Sequence, residues 1–566
     1  MNKLIKRTLE NRGLTVADIV RMNDGSHEPL MNSYDLITTL YAIHQRGEEI
    51  IVMCDFDMDG ISAGCEFYLG LYHLGFKVHL FIPTPSNGYG ISVDDIKSVM
   101  RNHPNCKNII TCDVGITCND AIDFAHKFGF HFYVTDHHVG ANCHADITVD
   151  PNQAGETYEH NQICGAAVVY QILMTYARTY CDISMIQDIR RLQVLAMFGT
   201  ISDTMPVLYE NRTCIKEGLD ILNMLITPYS ELSSFTDYIQ SVEYDDLTFN
   251  DDALYNQFFI NLRGILYFFM ENGIIKDGHV DEMTIGFYMS PMFNAVKRLN
   301  GEILYCFNAL LGQGTVSYTD CMPYLFRLNN HRKELVSEEI ETMLSDDQPY
   351  APYIYLSNAQ AGVRGLIATH VLGITGQPCL VVSPDTMEGS GRTPDWYPFI
   401  SNAAKNCPYL SVAGHEHAFG VKINDLQKAY DWLNVDVTDV FSHVEQVETK
   451  PDFIIAEDGS GDTVVDIELF SNYLEELSYL KPFGAVFSGP NIEFRTTNAT
   501  IEKIGRKKQH VKITTPTGFE IFLWNSNFNP ADSVFNLGGE IRINGYLDMS
   551  VFNNEKSIIF VGKSVC

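Results

Sequence analysis

The stretch Ile50-Ile51-Val52-Met53-Cys54-Asp55-Phe56-Asp57-Met58-Asp59-Gly60 decides how the rest of this chain is read. Its first half is a short apolar, β-branched run that reads as a buried parallel strand; its second half sets three aspartates where that strand gives way to a loop. Three further clusters follow in order, Cys112-Asp113-Val114-Gly115, Asp136-His137-His138 and Ser202-Asp203-Thr204. Each comes after another short apolar run read as a strand, so the acids are expected at strand ends, where open α/β sheets place their sites.

Several carboxylates brought within a few ångströms repel one another, and burying them unpaired is costly, so a converging set is held together by cations. The four clusters therefore read as a two-metal site. Oxygen ligands with one imidazole suit a fairly hard divalent ion, Mn²⁺ or Mg²⁺, and the histidine favours manganese.

Asp-x-Asp-x-Asp-Gly, a later Asp-x-Gly, Val134-Thr135-Asp136-His137-His138 and an isolated fourth aspartate resemble the signature of the DHH phosphoesterase superfamily. Gly199-Thr200-Ile201-Ser202-Asp203-Thr204-Met205-Pro206 with Asn211-Arg212 resembles the fourth motif of its RecJ branch, the bacterial single-strand-specific exonucleases. The resemblance implies Asp55, Asp57, Asp113, His137 and Asp203 as metal ligands. Asp59 and Asp136 then orient ligands or water, and His138 contacts non-bridging phosphate oxygens or assists proton transfer.

At 566 residues the chain is too long for one core, and 45% hydrophobic residues place it among globular proteins. No apolar run has the length to span a bilayer, and Met1-Asn2-Lys3-Leu4-Ile5-Lys6-Arg7 has no signal-peptide apolar core behind it, so a cytoplasmic protein is expected. The 14 cysteines are scattered without a C-x-x-C pair and read as core or incidental thiols; His137-His138 with Cys143-His144 fits no zinc module. A net charge of −32 argues at first against nucleic acid, but a DNA track needs only a local basic stripe.

Segments alternate between strand-like and helix-like from about 35 to 225, giving a doubly wound parallel sheet in an α/β catalytic domain, residues 1–225. Helical signals dominate 226–350, a helical region and connector. There Pro291-Met292-Phe293-Asn294-Ala295-Val296-Lys297-Arg298 resembles a RecJ helix written P-R-x-N-A-A-G-R, with Met292 and Lys297 standing where the family has Arg and Gly. Asn294 and Arg298 are candidates for lining the strand's path or for tying helices together.

A second α/β unit, 351–450, carries Gly389-Ser390-Gly391-Arg392 and Ala413-Gly414-His415-Glu416-His417-Ala418-Phe419-Gly420, which look like the G-S-G-R and G-G-H-x-x-A-A-G motifs of the DHH-associated domain. Alone such a run is more often a turn than a phosphate site; at this spacing from Gly414-His415, Ser390, Gly391 and their neighbours read as a flexible backbone that approaches an anion, and the resemblance implies Arg392, Gly414 and His415 holding a terminal nucleotide. Residues 451–566 read as a linker and, from about 485, an all-β pattern, the position of an OB-like β-barrel in RecJ proteins. Within it Lys503, Arg506, Lys507, Lys508 and Lys512 near Phe519, Phe522 and Trp524 form a candidate single-strand track. One departure stands out: Pro83-Thr84-Pro85-Ser86-Asn87 occupies the place of the family's Asn-Arg pair and acid.

The resemblance implies a metal-dependent phosphodiesterase, a RecJ-like 5′→3′ exonuclease that releases mononucleotides from single-stranded DNA. Expected partners are that DNA and a single-strand-binding protein or helicase, with no membrane. Two rivals are a hydrolase of short oligonucleotides or cyclic dinucleotides, which lacks the β-rich C-terminal segment, and a non-catalytic replication scaffold, which loses its metal ligands.

Overall fold

A computed structural model describes residues 1–25, 28–82, 90–140, 142–226, 249–275, 278–312, 318–345, 348–404, 407–441, 450–505, 508–524, 540–552 and 555–565. The chain forms two compact units. One comprises His27–Met205 with Glu217–Gln446; the other comprises Met1–Ser26, Pro206–Lys216 and Val447–Cys566.

In the larger unit, five parallel strands, β1 (Glu49–Cys54), β2 (Lys77–Phe81), β3 (Asn108–Cys112), β4 (His131–Thr135) and β5 (Ile147–Val149), form a sheet of order β2-β1-β3-β4-β5. Ile50–Cys54 and all of β3 are buried, as a sheet covered on both faces requires. Helices Val93–Asn102 and Asn119–Lys127 share a core with Ile51, Met53 and Ile109. Helices Met58–His73, Gly165–Tyr180 and Gln193–Ser202 pack against one another.

Strand order reverses between β1 and β3, so the crevice for a ligand opens at their carboxyl ends. Register makes that crevice acidic. Cys54 pairs with Cys112, and Cys112 with Thr135, so the next residues, Asp55, Asp113 and Asp136, leave the sheet at one level.

The fourth cluster differs from expectation. Asp203 caps the C-terminus of helix Gln193–Ser202 rather than ending a strand. Residues Val194–Thr200 are all buried, and a helix apolar on every side cannot be told from a buried strand by its composition.

The same unit holds a second sheet of β6 (Ile354–Leu356), β7 (Cys379–Val382), β8 (Glu388–Arg392), β9 (Leu410–His415) and β10 (Ala418–Ile423), ordered β6-β7-β8-β10-β9. Only β6 and β7 run parallel. Gly389-Ser390-Gly391-Arg392, read from sequence as a flexible backbone with a turn as the alternative, is the body of central strand β8. Its glycines answer to packing. A Cβ on Gly391 would lie 2.2 Å from the Phe419 ring, and one on Gly389 would lie 1.9 Å from the Val381 carbonyl. Helices Ala253–Glu271, Ser290–Arg298, Leu304–Leu311 and Tyr318–Ser345 fill the region between the two sheets in sequence, as expected for 226–350; residues 227–248 lie outside the described set.

The smaller unit is built on a seven-stranded sheet, β11 (Phe453–Ala456), β12 (Ile492–Thr496), β13 (Thr500–Ile504), β14 (His510–Thr514), β15 (Glu520–Leu523), β16 (Ile541–Phe552) and β17 (Glu555–Val565), ordered β11-β12-β16-β17-β15-β14-β13. Ile492 and Phe494, Val511 and Ile513, and Ile521 and Leu523 alternate inward along their strands. The sheet begins at Phe453, earlier than the expected start near 485, because β11 pairs parallel with β12 across an intervening helix, Ile467–Leu477.

Helix Lys3–Asn11 packs on β11 and on that helix. Arg12 then grips Asp452 bidentately, both bonds 2.7 Å. Arg212 is fully buried and donates to the carbonyls of Leu480, Lys481 and Pro482 and to Asn23 Oδ1.

All thirteen described cysteines are free. No helix among the described residues is long and apolar enough to cross a membrane.

Candidate metal centre

Each acid is positioned by the element that follows it. Asp57 is the N-cap of helix Met58–His73 and accepts from the Gly60 N–H at 3.2 Å. Asp59, one turn inside and fully buried, reaches the start of helix Gly165–Tyr180, where Gly165 and Ala166 donate N–H bonds of 2.7 and 3.0 Å. Close approach explains the small residues there: a Cβ on Gly199 would lie 2.0 Å from Asp59 Oδ1, and the Cβ of any other residue at Gly165 would lie 2.5 Å from that of Asp113.

Asp113 leaves β3 in the left-handed region, φ +59°, a conformation aspartate tolerates better than most residues. The turn presents its carboxylate to His137, Oδ1 lying 3.1 Å from Nε2. The same Nε2 lies 3.6 Å from Asp203 Oδ2 and 3.7 Å from Asp59 Oδ2.

Asp136 faces the other way. It accepts from the backbone N–H groups of Ile116, His137 and His138 and from His138 Nδ1 at 2.8 Å, fixing the two histidines as a rigid pair.

Three donor sets result, each with atoms within 4.8 Å of one another: Asp55, Asp57 and Asp113; Asp59, His137 and Asp203; Asp113, His137 and His138. Asp55 Oδ1, Asp113 Oδ1 and His137 Nε2 are buried without a hydrogen bond. Buried polar atoms in a protein are ordinarily satisfied, so three orphaned ligand atoms facing one space fit a divalent cation, and these carboxylates with one imidazole fit Mn²⁺ or Mg²⁺.

The electrostatics agree. Burial, then Asp57, pushes the Asp55 carboxyl up to about 6 against the pull of Lys297. Burial followed by Asp59 pushes Asp113 and Asp203 well above the carboxylate range, and burial raises Asp59 itself. At Asp136 burial is outweighed by hydrogen bonds, chiefly from His138, and its carboxyl is held low. Its bond in turn raises His138.

Three residues enter that the sequence did not single out for the site. Lys297, on helix Ser290–Arg298, places Nζ 3.1 Å from Asp55 Oδ2 and 3.0 Å from Asp57 Oδ2. Only its departure from the family pattern hinted at this. Asn152 donates to the His137 carbonyl at 2.6 Å, and its own N–H is held by Asp150, whose carboxyl burial pushes up to about 7. Arg332 is the third, lying near enough to Arg298 for their charges to repel.

Asn294 sits between the acid loops, accepting from the Met58 N–H at 2.8 Å and donating to Ser202 Oγ at 3.4 Å. Arg298 donates to the Gly362 carbonyl, and its charge feels both Arg392 and Asp57. Arg392, at the end of β8, turns its guanidinium back to donate to the neighbouring Gly391 carbonyl at 2.7 Å, and packs with Ser390 against Gly365. Burial, then the charge of Arg392, lowers Arg298, and burial, then the charge of Arg298, lowers Arg332, so the three guanidiniums form one cationic cluster.

Gly414 (φ +131°) and His415 end β9, and His415 enters through its backbone, which pairs with Ala418. In the smaller unit Lys508 is exposed in the turn between β13 and β14, with Trp524 stacked on Phe522 and edge-on to His510 nearby. Arg506 and the Pro83–Asn87 departure lie outside the described residues.

Residues 49–198 match the DHH family, N-terminal domain, and residues 462–563 match the RecJ OB domain. The single-stranded-DNA-specific exonuclease RecJ of Bacillus subtilis is 25% identical over 539 residues, 91% of this chain and 61% of that protein. The chain thus spans about three fifths of that relative's length. The RecJ of Haemophilus influenzae is 22% identical over 84% of this chain and 80% of its own.

A crystal structure of RecJ in complex with Mn²⁺ from Thermus thermophilus superposes with a TM-score of 0.73 at 19% identity, covering 100% of this chain and 76% of that one. A match to the DHH family's N-terminal domain, a later match to the RecJ OB domain, and a fold similar to that of RecJ are what this chain shares with those proteins.

Proposed function

We propose that the protein is a divalent-metal-dependent phosphodiesterase that degrades single-stranded DNA from its 5′ end to mononucleotides. The observation that carries this reading is the convergence of Asp55, Asp57, Asp113, His137 and Asp203 around the orphaned atoms Asp55 Oδ1, Asp113 Oδ1 and His137 Nε2. A bound Mn²⁺ or Mg²⁺ supplies Lewis acidity and a hydroxide near neutral pH.

The chain's own residues do the rest. Asp59 and Asp136 hold their neighbours through bonds to two backbone segments, so the ligand set is preformed. His138, its Nδ1 bound to Asp136, presents its other ring nitrogen to a phosphate oxygen or leaving group. Arg298, Arg332 and Arg392 hold the backbone phosphate of the terminal nucleotide bidentately, and Ser390 and Gly391 line its approach. The OB domain with Lys508 and Trp524 carries the remaining strand by charge and stacking.

Polarity and mononucleotide products follow from the likeness to RecJ, as do residues 226–350 as a connector, 351–450 as the associated domain, a cytoplasmic location, and a single-strand-binding protein or helicase as partner. The test is incubation with Mn²⁺ and 5′- or 3′-labelled single strands beside duplex and RNA. Release of 5′ label alone as mononucleotide is expected; no Mn²⁺-dependent hydrolysis of any substrate refutes the reading and favours a scaffold.

A further inference from the structure

Lys297 makes the acidic cluster asymmetric. Its ammonium bridges Asp55 Oδ2 and Asp57 Oδ2 at 3.1 and 3.0 Å and lies 4.7 Å from the centre of the Phe56 ring, pinned by two charge-assisted bonds and an aromatic face. The other half of the cluster, His137 with Asp59, Asp113 and Asp203, has no lysine or arginine in direct contact, although the Lys297 charge is felt at Asp203; His137 Nε2 and Asp113 Oδ1 there lack a hydrogen bond, as does Asp55 Oδ1 beside Lys297.

We propose that Lys297 is a resident cation that takes the place of one divalent ion, so that this chain binds a single metal ion, on the His137–Asp203 side. The proposal rests on the metal-dependent reading above and narrows it. Geometry gives the reason. A hard divalent ion draws its oxygen ligands to about 2.0–2.6 Å, whereas the ammonium holds the same two oxygens at about 3 Å, so the two cannot share the Asp55–Asp57 position. The ammonium is carried by helix Ser290–Arg298 and is always at hand, whereas a metal ion must arrive from dilute solution and break both bonds first. Displacing even one charge-assisted bond weakens binding there by at least about tenfold.

The test counts ions without turnover. The full chain is stripped with chelator and titrated with Mn²⁺ by calorimetry, and electron paramagnetic resonance of the loaded protein reports whether bound ions are isolated or spin-coupled. Wild type is expected to take one ion with an isolated signal. Lys297→Met, which keeps the stem over Phe56 and removes the charge, should take two with a coupled signal; Lys297→Arg, which restores a cation, should return to one.

Two comparably tight ions in wild type, or one ion in Lys297→Met, overturns the proposal. Mn²⁺-dependent cleavage alongside either result sinks this inference alone. No ion bound by any of the three proteins sinks it together with the metal-dependent reading.

Discussion

Replacing Asp55 by Asn should make the metal-free protein more stable at neutral pH. Asp55 is 3% exposed, and burial with the neighbouring Asp57 pushes its carboxyl from 3.8 up to about 6. A shift of about two units corresponds to about 3 kcal/mol by which the charged form disfavours the folded state at pH 7. Asparagine removes that cost. About 3 kcal/mol is an upper bound, because Lys297 loses one of its two carboxylate partners.

The sign with pH follows from the direction of the shift. An acid raised in the folded state destabilises fully above about 6 and not at all below its unfolded value near 4, so the advantage of Asn should fade as pH falls from 7 to 4. Mn²⁺ at a hundred times its dissociation constant stabilises wild type by about 2.7 kcal/mol, and with the ion held on the His137–Asp203 side the variant should keep most of this.

Urea unfolding at pH 7 and at pH 4.5, each with chelator and with Mn²⁺, gives four midpoints for each protein. An Asp55→Asn protein no more stable than wild type in chelator at pH 7 refutes the argument that buried repulsion at these carboxylates burdens the metal-free fold.

Asp136→Ala leaves His138 and three backbone N–H groups without their acceptor and, with Asp203→Ala, should reduce turnover at least about 100-fold; near-normal rates in both would remove the metal centre from the reaction. If Arg392 holds phosphate as proposed, Arg392→Ala should raise KM for single strands severalfold with little change in kcat, read from initial rates over a range of DNA concentrations; an unchanged KM would remove it from the site. Arg212→Met should destabilise the smaller unit by about 3 kcal/mol, because the carbonyls of Leu480, Lys481 and Pro482 lose their buried donor; an unshifted thermal transition would contradict this.

Much of the parallel sheet that carries the acidic cluster was legible in the chain because its signals are local. A short β-branched run followed at once by aspartate specifies a strand end with an acid on it, and four such signals in order, three of them at true strand ends, could be read without knowing how the chain folds back. The cluster at Asp203 was placed correctly on the wrong element, because burial on all sides erases the period that separates helix from strand. In Gly389-Ser390-Gly391-Arg392 glycine signalled a turn, while its real cause, the Phe419 ring and a neighbouring carbonyl, lies on other strands.

By itself, then, the sequence determined the α/β class, the order of the acidic motifs and the residue types that suit a hard divalent ion. Only the tertiary structure decided which of those atoms face one another, that Asn152 holds His137 from behind, that Met1–Ser26 joins the C-terminal unit, and that Lys297 reaches across 240 residues of chain to Asp57. The physical reason is range. Backbone preference and hydrophobic period act over a few residues, whereas Coulomb contact depends on distances in space that no local pattern encodes.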